Sequence, residues 1–101
     1  MKQWHVYIMS NRAHTLYAGI TNDLQRRVTE HKERTHPNAF TARYTFDRLV
    51  YYEEAADQKA AALREKRVKR WPRAKRVALI QAGNPNWNDL SERWSLARWL
   101  R

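Results

Sequence analysis

Three short stretches of the chain are rich in apolar, β-branched and aromatic residues between polar segments, and this pattern predicts β-strands. They read WHVYIM, LYAGI and DRLVYYEE, at residues 4–9, 16–20 and 47–54. The polar segment SNRAHT between the first two has a length that suits a hairpin loop. The first two strands are therefore predicted to pair as a hairpin, with the third strand arriving later in the chain.

Successive side chains of a strand point to opposite faces, so the pattern also assigns faces. The apolar side chains of LYAGI fall on one face, and Tyr17 and Gly19 fall on the other. If the apolar sets of both strands face the same core, Tyr7 shares the opposite face with Tyr17. Gly19 would let a backbone or a ligand approach closely there. The pattern alone does not distinguish a structural from a functional role for the tyrosine pair, because tyrosine is a good strand former.

Apolar residues that recur every three or four positions predict helices in the rest of the chain. The helices are expected at residues 24–34, 57–71, 73–82 and within 91–101. Capping residues mark their starts, since TND precedes the first helix, Asp57 the second, and DLSE gives the last a capping-box spacing. Pro72 separates the second helix from the third, and Gly83 stands where a C′ glycine would end the third.

The first helix carries two adjacent arginines that its phase separates. Arg27 is three residues after Leu24 and four before His31, so it shares their side of the helix. Arg26 is rotated by about 100° from Arg27. Arg27 is therefore expected to face the sheet and to need an anionic partner, which is either a protein carboxylate or a phosphate. Arg26 is expected to face solvent.

The element order β-β-α-β-α-α-α predicts a small α/β (α+β) domain, in which helices flank a three-stranded antiparallel or mixed sheet. Residues 1–90 are expected to form this domain, and residues 91–101 a C-terminal helical tail. The long second helix is expected to bury Ala60, Ala61, Leu63, Val68 and Trp71. The tail helix is expected to bury Trp94, Ala97 and Leu100.

The distribution of charge along the chain bears on function. The chain carries a net charge of +10, and residues 57–76 hold nine Lys or Arg against two carboxylates, a net of +7. Such a field attracts polyanions, of which nucleic acid is the usual one. The plainer alternative is a solubilising helix face.

The 101 residues suit one domain, and the absence of cysteine excludes disulfides and thiolate zinc sites. No apolar run approaches the roughly 20 residues that span a membrane. The expected location is the bacterial cytoplasm, at the nucleoid when bound to DNA. A monomer is slightly favoured.

The ordered set of Tyr7, then Tyr17-Ala18-Gly19, then Leu24-x-x-Arg27 resembles the GIY-YIG nuclease family. Downstream, AALREKRVK resembles the family's metal-binding helix, whose glutamate matches Glu65. The resemblance extends over residues 4–90. The chain is similar to the small, single-domain bacterial branch of this family. The first tripeptide, HVY, departs from the family pattern by lacking its leading glycine.

The resemblance implies hydrolysis of phosphodiester bonds with one divalent metal ion, Mg²⁺ or Mn²⁺. It implies that Glu65 is the only protein ligand of the metal and that Arg27 neutralises charge on the phosphoryl group. The metal and Arg27 would lower the pKa of a nearby tyrosine, so that Tyr7 or Tyr17 acts as general base. Tyr7 is favoured as the base, and Tyr17 as a phosphate contact or water orienter. For His31 three roles stay open, namely relaying a proton, binding phosphate, or a purely structural contact on the inner face of the helix. Without the resemblance, Glu65 is an ordinary helical partner of Lys69.

Basic and aromatic residues complete the predicted surface for nucleic acid. The predicted backbone contacts, which give affinity without sequence information, are Arg26, Lys66, Lys69, Arg70, Arg73, Lys75 and Arg76. Phe40 and Tyr44 are predicted to stack unpaired bases. The tryptophans of the C-terminal part are open between base stacking and docking on the core.

The sequence therefore predicts a metal-dependent DNA endonuclease with a role in repair or recombination. Its substrate is single-stranded, structured or duplex DNA, and a preference for single-stranded or structured DNA is one of the alternatives left open. A second interpretation is a catalytically weak or inactive module that only binds DNA or RNA. A third is a basic protein associated with RNA or ribosomes, which would not need the tyrosine, arginine and glutamate set.

Overall fold

The computed structural model describes residues 3–33 and 46–94. Within them lie three strands and three helices, which are β1 (Trp4–Ser10), β2 (Leu16–Thr21), α1 (Leu24–Glu33), β3 (Arg48–Ala55), α2 (Gln58–Arg70) and α3 (Arg73–Gly83). The expectations for Phe40, Tyr44, Trp99 and the tail helix beyond Trp94 lie outside the described residues. No helix in the described ranges has the length and apolar character needed to cross a membrane.

The strands form one antiparallel sheet in the order β2-β1-β3. Tyr7 lies opposite Gly19 in the pairing of β1 with β2, and Met9 lies opposite Tyr17. An irregularity in the pairing of β1 with β3 falls between Ile8 and Met9. The predicted fold class, with helices flanking a three-stranded sheet, is confirmed.

Helices cover both faces of the sheet. On one face, Ile8 and Ala18 pack with Val68 of α2 and Ile80 of α3. We call this the α2/α3 face. On the other face, which we call the α1 face, Tyr7 packs with Leu24 and Val28 of α1, and Trp94 covers part of the same cluster. Strand alternation thus sets Tyr7 on the face opposite Ile8, as the pattern predicts.

The predicted N-caps of the first two helices are present. The Asp23 carboxylate accepts a hydrogen bond from the backbone N–H of Arg26 at 3.4 Å. The Asp57 carboxylate accepts one from Ala60 N at 2.8 Å. Helix α2 ends at Arg70, and Pro72 occupies the N-cap position of α3. These caps fix where α1 and α2 begin relative to the sheet.

Two predictions about the helices are wrong. Leu63 is 56% exposed, because it is two residues from buried Ala61 and a helix turns by about 200° over that interval. Gly83 does not lie beyond the end of α3 but is its last residue, and its φ is not positive. The cap is Asn84, whose buried amide donates to Val50 O at 3.1 Å and to Asn88 O at 2.9 Å. These contacts with the sheet and the following turn end the helix.

The segment after α3 docks on the sheet through Asp89. Its carboxylate accepts from Leu49 N at 3.2 Å and Ser91 N at 3.0 Å, and it forms an ion pair with Lys32 of α1. It therefore caps the turn through Ser91 rather than through the predicted box with Glu92. Trp87 is buried against the core, which is the structural one of its two interpretations.

Candidate active site

The centre of the candidate site is the hydroxyl group of Tyr7. The Tyr7 side chain is fully buried on β1, and its ring lies over Gly19 of the neighbouring strand. A Cβ atom placed on Gly19 would stand 2.6 Å from the Tyr7 hydroxyl and 2.8 Å from Cζ. The space left by the absent side chain of Gly19 is therefore taken up by the tyrosine ring.

Helix α1 brings two polar side chains to this hydroxyl. Arg27 Nε donates to the Tyr7 oxygen at 3.3 Å, and Nε2 of His31 lies 3.2 Å from the same oxygen. The two residues are four apart, so both lie on the side of α1 that Leu24 and Val28 bury against the sheet. The amphipathic packing of α1 thus determines the geometry of the polar cluster.

Tyr17 forms the aromatic wall of the cluster. Its ring meets that of His31 edge-on at 5.2 Å, lies 6.3 Å from that of Tyr7, and contacts Phe46 at 5.6 Å. The hypothesis that the two tyrosines lie together beside an arginine therefore agrees with the observed arrangement. We refer to Tyr7, Tyr17, Arg27 and His31 as the tyrosine cluster.

Burial raises the pKa of Tyr7 above its usual value of 10.0. The hydrogen bond and charge of Arg27 act in the opposite direction, but they are outweighed by desolvation, to which the neighbouring Tyr17 adds. The effect of Arg27 thus has the expected sign but does not dominate. The Tyr7 hydroxyl is protonated at neutral pH, and its hydrogen bond in turn raises the pKa of Arg27, which stays charged.

The two arginines differ as the helix phase predicts. The Arg26 side chain is 73% exposed, whereas that of Arg27 is 34% exposed and directed at Tyr7. Glu30 lies beside both, with its carboxylate 3.6 Å from Arg26 Nε and 3.9 Å from Arg27 Nη1. Sequence reasoning overlooks Glu30, although its spacing of three and four residues from the arginines is a signal for such pairs.

Glu65 belongs to α2, on the α2/α3 face of the sheet. Its side chain is 20% exposed and pairs with Lys69 Nζ at 2.6 Å. The buried stripe of α2 contains Ala61 and Val68, with Arg64 and Glu65 on its two flanks. Arg64 pairs with Glu53 of β3 at 3.1 Å, so Glu65 lies on the side of α2 nearer to β2, the opposite edge of the sheet.

The family model of the GIY-YIG catalytic domain matches residues 3–78 of the chain. The chain belongs to the GIY-YIG family. The match covers all elements from β1 to the first half of α3, and so it includes the tyrosine cluster and Glu65.

Related GIY-YIG sequences and a related structure support the same assignment. A UPF0213 protein of Desulfotalea psychrophila is 36% identical over 91 residues, covering 86% of this chain and 79% of the relative. A UPF0213 protein of Xanthomonas axonopodis pv. citri is 37% identical over 86 residues, covering 81% and 79%. The solution NMR structure of a UPF0213 protein from Bacillus halodurans gives a TM-score of 0.54 at 25% identity, covering 91% of this chain and 96% of that one.

The predicted backbone contacts of this GIY-YIG domain lie mostly on α2 and α3. Lys66 and Arg70 are exposed. Other members of the set already contact the protein. Arg73 donates to His14 O at 2.7 Å, and the Lys75 ammonium lies 4.2 Å from the centre of the Trp71 ring. These helices and the tyrosine cluster lie on opposite faces of the sheet. A nucleic-acid strand that contacts both therefore has to pass around an edge of the sheet.

The donors available for a metal ion in this GIY-YIG domain are few. Residues 3–33 and 46–94 contain no group of three or more His, Asp or Glu side chains placed to hold a metal. A single carboxylate such as Glu65 suits Mg²⁺, which keeps several waters and takes one or two carboxylates. The residues present therefore fit a hydrated ion held by one side chain, with the Lys69 ammonium as its competitor for Glu65.

Proposed function

We propose that this protein is a divalent-metal-dependent endonuclease that hydrolyses phosphodiester bonds in DNA. The observation that carries the proposal is the contact of one buried hydroxyl, that of Tyr7, with Arg27 Nε at 3.3 Å and with His31 Nε2 at 3.2 Å. A tyrosine held between a fixed cation and an imidazole is suited to binding a phosphate and moving a proton beside it. A protein that only maintained its fold would gain little from burying this set.

Arg27 is assigned to the phosphoryl oxygens. Its Nε is bound to Tyr7, which orients the guanidinium plane, and its terminal nitrogens face Glu30 at the loose distance of 3.9 Å. A phosphate can replace that carboxylate, because the planar fork makes two parallel hydrogen bonds to such oxygens. Arg27 would then neutralise the charge that develops in the transition state without having to move.

Tyr7 and His31 are assigned to the proton of the attacking water. The raised pKa of Tyr7 makes its hydroxyl a poor base on its own at neutral pH. His31 Nε2 is within hydrogen-bonding distance of the same oxygen, and an imidazole takes up a proton near neutral pH. Tyr7 therefore accepts the proton of water as its own proton passes to His31. Tyr17, beside both rings, orients the water or the phosphate.

Glu65 is the residue that would hold the metal ion. When bound, the ion polarises the phosphate and stabilises the leaving oxygen. The ion pair of Glu65 with Lys69 is of the i,i+4 kind, which contributes only about 0.3–0.5 kcal/mol. Releasing Lys69 therefore costs little free energy, and the freed ammonium can contact another phosphate of the bound DNA strand.

The experiment compares cleavage of labelled single-stranded, duplex and branched DNA in Mg²⁺, Mn²⁺ and EDTA. The wild type is expected to cleave at least one of them in a metal-dependent way. Glu65→Gln is expected to abolish cleavage while retaining the fold and most of the affinity for DNA. Glu54→Gln removes an exposed carboxylate of β3 and serves as the matched control. Wild-type cleavage that EDTA stops and Glu65→Gln retains would refute the assignment of Glu65.

A second candidate is a module that binds nucleic acid without cutting it. The observation that favours it is the Lys69 ammonium 2.6 Å from Glu65, the carboxylate expected to hold the metal. The same experiment separates the two candidates. Tight binding of DNA or RNA, with no cleavage of any of the three DNAs in either metal, would support the binding module. Metal-dependent cleavage excludes it.

A further inference from the structure

A groove of about 360 Å³ opens at the corner where β2 passes into α1. It is built from three parts of the chain that are distant in sequence. Its walls are formed by Trp4 of β1, by residues 20–23, by Arg26, Arg27 and Glu30 of α1, and by Gln58 at the start of α2. The groove therefore shares Arg27 with the tyrosine cluster, whereas Tyr7, Tyr17 and His31 do not line it.

Away from the phosphate contact of Arg27, the charged side chains of the groove walls balance one another, so this part of the groove suits a neutral guest better than an anion. The two arginines are balanced by Glu30, which pairs with both, and by Asp23, which caps α1. Trp4 and Ile20 add aromatic and apolar surface to the walls. Asn22 and Gln58 are exposed amides, and each offers hydrogen-bond donors and an acceptor. A flat neutral group with a polar edge matches this combination.

We propose that the groove binds one unpaired nucleobase of the DNA strand whose phosphate contacts Arg27; this inference rests on the proposed nuclease function. Its volume is at the lower end of the range of about 300–1,000 Å³ for small-molecule sites, which accommodates a single nucleoside rather than a base pair. Aromatic side chains bind bases by stacking, and amide side chains read their edges.

The position of Arg27 connects the groove to the chemistry. Its Nε is held by Tyr7, and the residue also lines the groove. A base in the groove therefore belongs to a nucleotide next to the phosphate at the tyrosine cluster. Gln58 and Glu65 are seven residues apart on one side of α2, so about 10 Å separates the groove from the proposed metal ligand along the helix. A base reaches the groove only from outside a duplex stack, which makes the groove a selector for unpaired strands.

The test measures binding in EDTA, where cleavage plays no part. The probes are fluorescein-labelled oligo-dT and a strand of equal length in which every residue is abasic, so that the phosphates match and only the bases differ. Trp4→Leu is expected to weaken binding of oligo-dT by about tenfold, within the range of base–aromatic stacking, and to leave the abasic strand unaffected. Gln81→Ala, an exposed amide on α3, is the control and is expected to change neither affinity.

The amides are tested separately, which covers the case that Trp4→Leu fails to fold. In the double variant Asn22→Ala with Gln58→Ala, the relative affinities for oligo-dA, oligo-dC and oligo-dT are expected to converge, while that for the abasic strand is kept. Equal losses on oligo-dT and the abasic strand for a folded Trp4→Leu would overturn the proposal. So would unchanged relative affinities in the double variant.

The outcomes for the groove and for the nuclease function are distinguishable. Metal-dependent cleavage by the wild type, together with affinities that do not depend on the bases, would refute the groove and leave the nuclease proposal. Base-dependent binding through Trp4 with no cleavage in either metal would refute the nuclease proposal and leave the groove as a binding site for unpaired bases.

Discussion

The close approach of the Tyr7 ring to Gly19 makes Gly19→Ala a sharp test of the site. The new Cβ would lie 2.6 Å from the Tyr7 hydroxyl, whereas ordinary contacts begin at 3.4 Å, so the two atoms have to separate by at least 0.8 Å. The ring is fully buried and packed against Met9 and Leu24, so it has little room to move. The substitution therefore displaces the hydroxyl from Arg27 and His31 without removing any of the three side chains.

Two effects of opposite sign determine the stability of Gly19→Ala. Overpacking of a filled core costs about 1–3 kcal/mol. Replacing glycine by alanine restricts the unfolded chain and returns about 0.4–1 kcal/mol. The expected net loss is about 1–2 kcal/mol, and each kcal/mol lowers Tm by about 4–8 °C in a domain of this size. A displacement approaching 1 Å at a reacting group lowers the cleavage rate by up to about 10²-fold.

The assay pairs thermal unfolding with single-turnover cleavage. Gly83→Ala is the matched control, because nothing lies within 4 Å of its added Cβ and the residue is helical. It is expected to keep the wild-type rate and to gain up to about 1 kcal/mol of stability. Combining Gly19→Ala with Tyr7→Leu, which removes the ring, is expected to cancel the stability penalty of the alanine.

A Gly19→Ala protein with wild-type Tm and rate would show that the Tyr7 ring does not lie over this residue. A penalty that persisted unchanged in the Tyr7→Leu background would place its cause elsewhere in β2.

Substitutions of charged residues give three further tests. Arg27→Lys is expected to lower the rate of single-turnover cleavage by about 10²–10³-fold, since a point charge cannot replace the bidentate fork. Arg26→Ala is expected only to weaken DNA binding. Equal losses of rate in the two variants would mean that the helix phase is wrong. Although burial alone would raise the pKa of Asp89, its hydrogen bonds hold that pKa below the usual 3.8. The stability that this lowered pKa contributes is fully present above pH 3.8 and is lost as the pH falls through the pKa of the folded state. Asp89→Asn is therefore expected to lower the stability at neutral pH and to weaken the loss of stability in acid. An unchanged dependence of stability on acid pH would contradict this. Replacing exposed Lys66 and Arg70 by Gln is expected to reduce the slope of log affinity against log salt by about one unit for each lost phosphate contact; an unchanged slope would place the DNA path away from α2.

Local periodicity predicts much of this fold because it reports where each side chain points. Alternation puts Tyr7 and Tyr17 on one face, and the helical repeat turns Arg27 inwards and Arg26 outwards, as observed. The caps at Asp23 and Asp57 are equally local, because a side chain bonds to the next turn of its own helix. Assigning Leu63 to the core fails because that prediction uses apolar character without the helix phase.

Features that depend on distant contacts are not accessible from the sequence. Asn84 ends α3 because its amide reaches Val50 across the fold, which no local pattern encodes. Lys32 and Asp89 are 57 residues apart and join α1 to the segment after α3. The groove beside Arg27 is assembled from three separate segments, so its existence could not be predicted although each of its residues is visible in the sequence.

The position of the sheet between the helices limits how the parts of the proposed site can act on one phosphate. The tyrosine cluster lies on the α1 face and Glu65 belongs to a helix on the α2/α3 face, so a straight path from the basic helices to Arg27 would cross the sheet. Among the described strands, β2 pairs only with β1 and is an edge. Glu65 lies on the side of α2 nearer to β2, and the groove opens where β2 ends. A phosphate that contacts both Arg27 and a metal at Glu65 must therefore lie along the β2 edge. A single strand can follow such an edge and place a base in the groove, whereas a duplex has to be opened first.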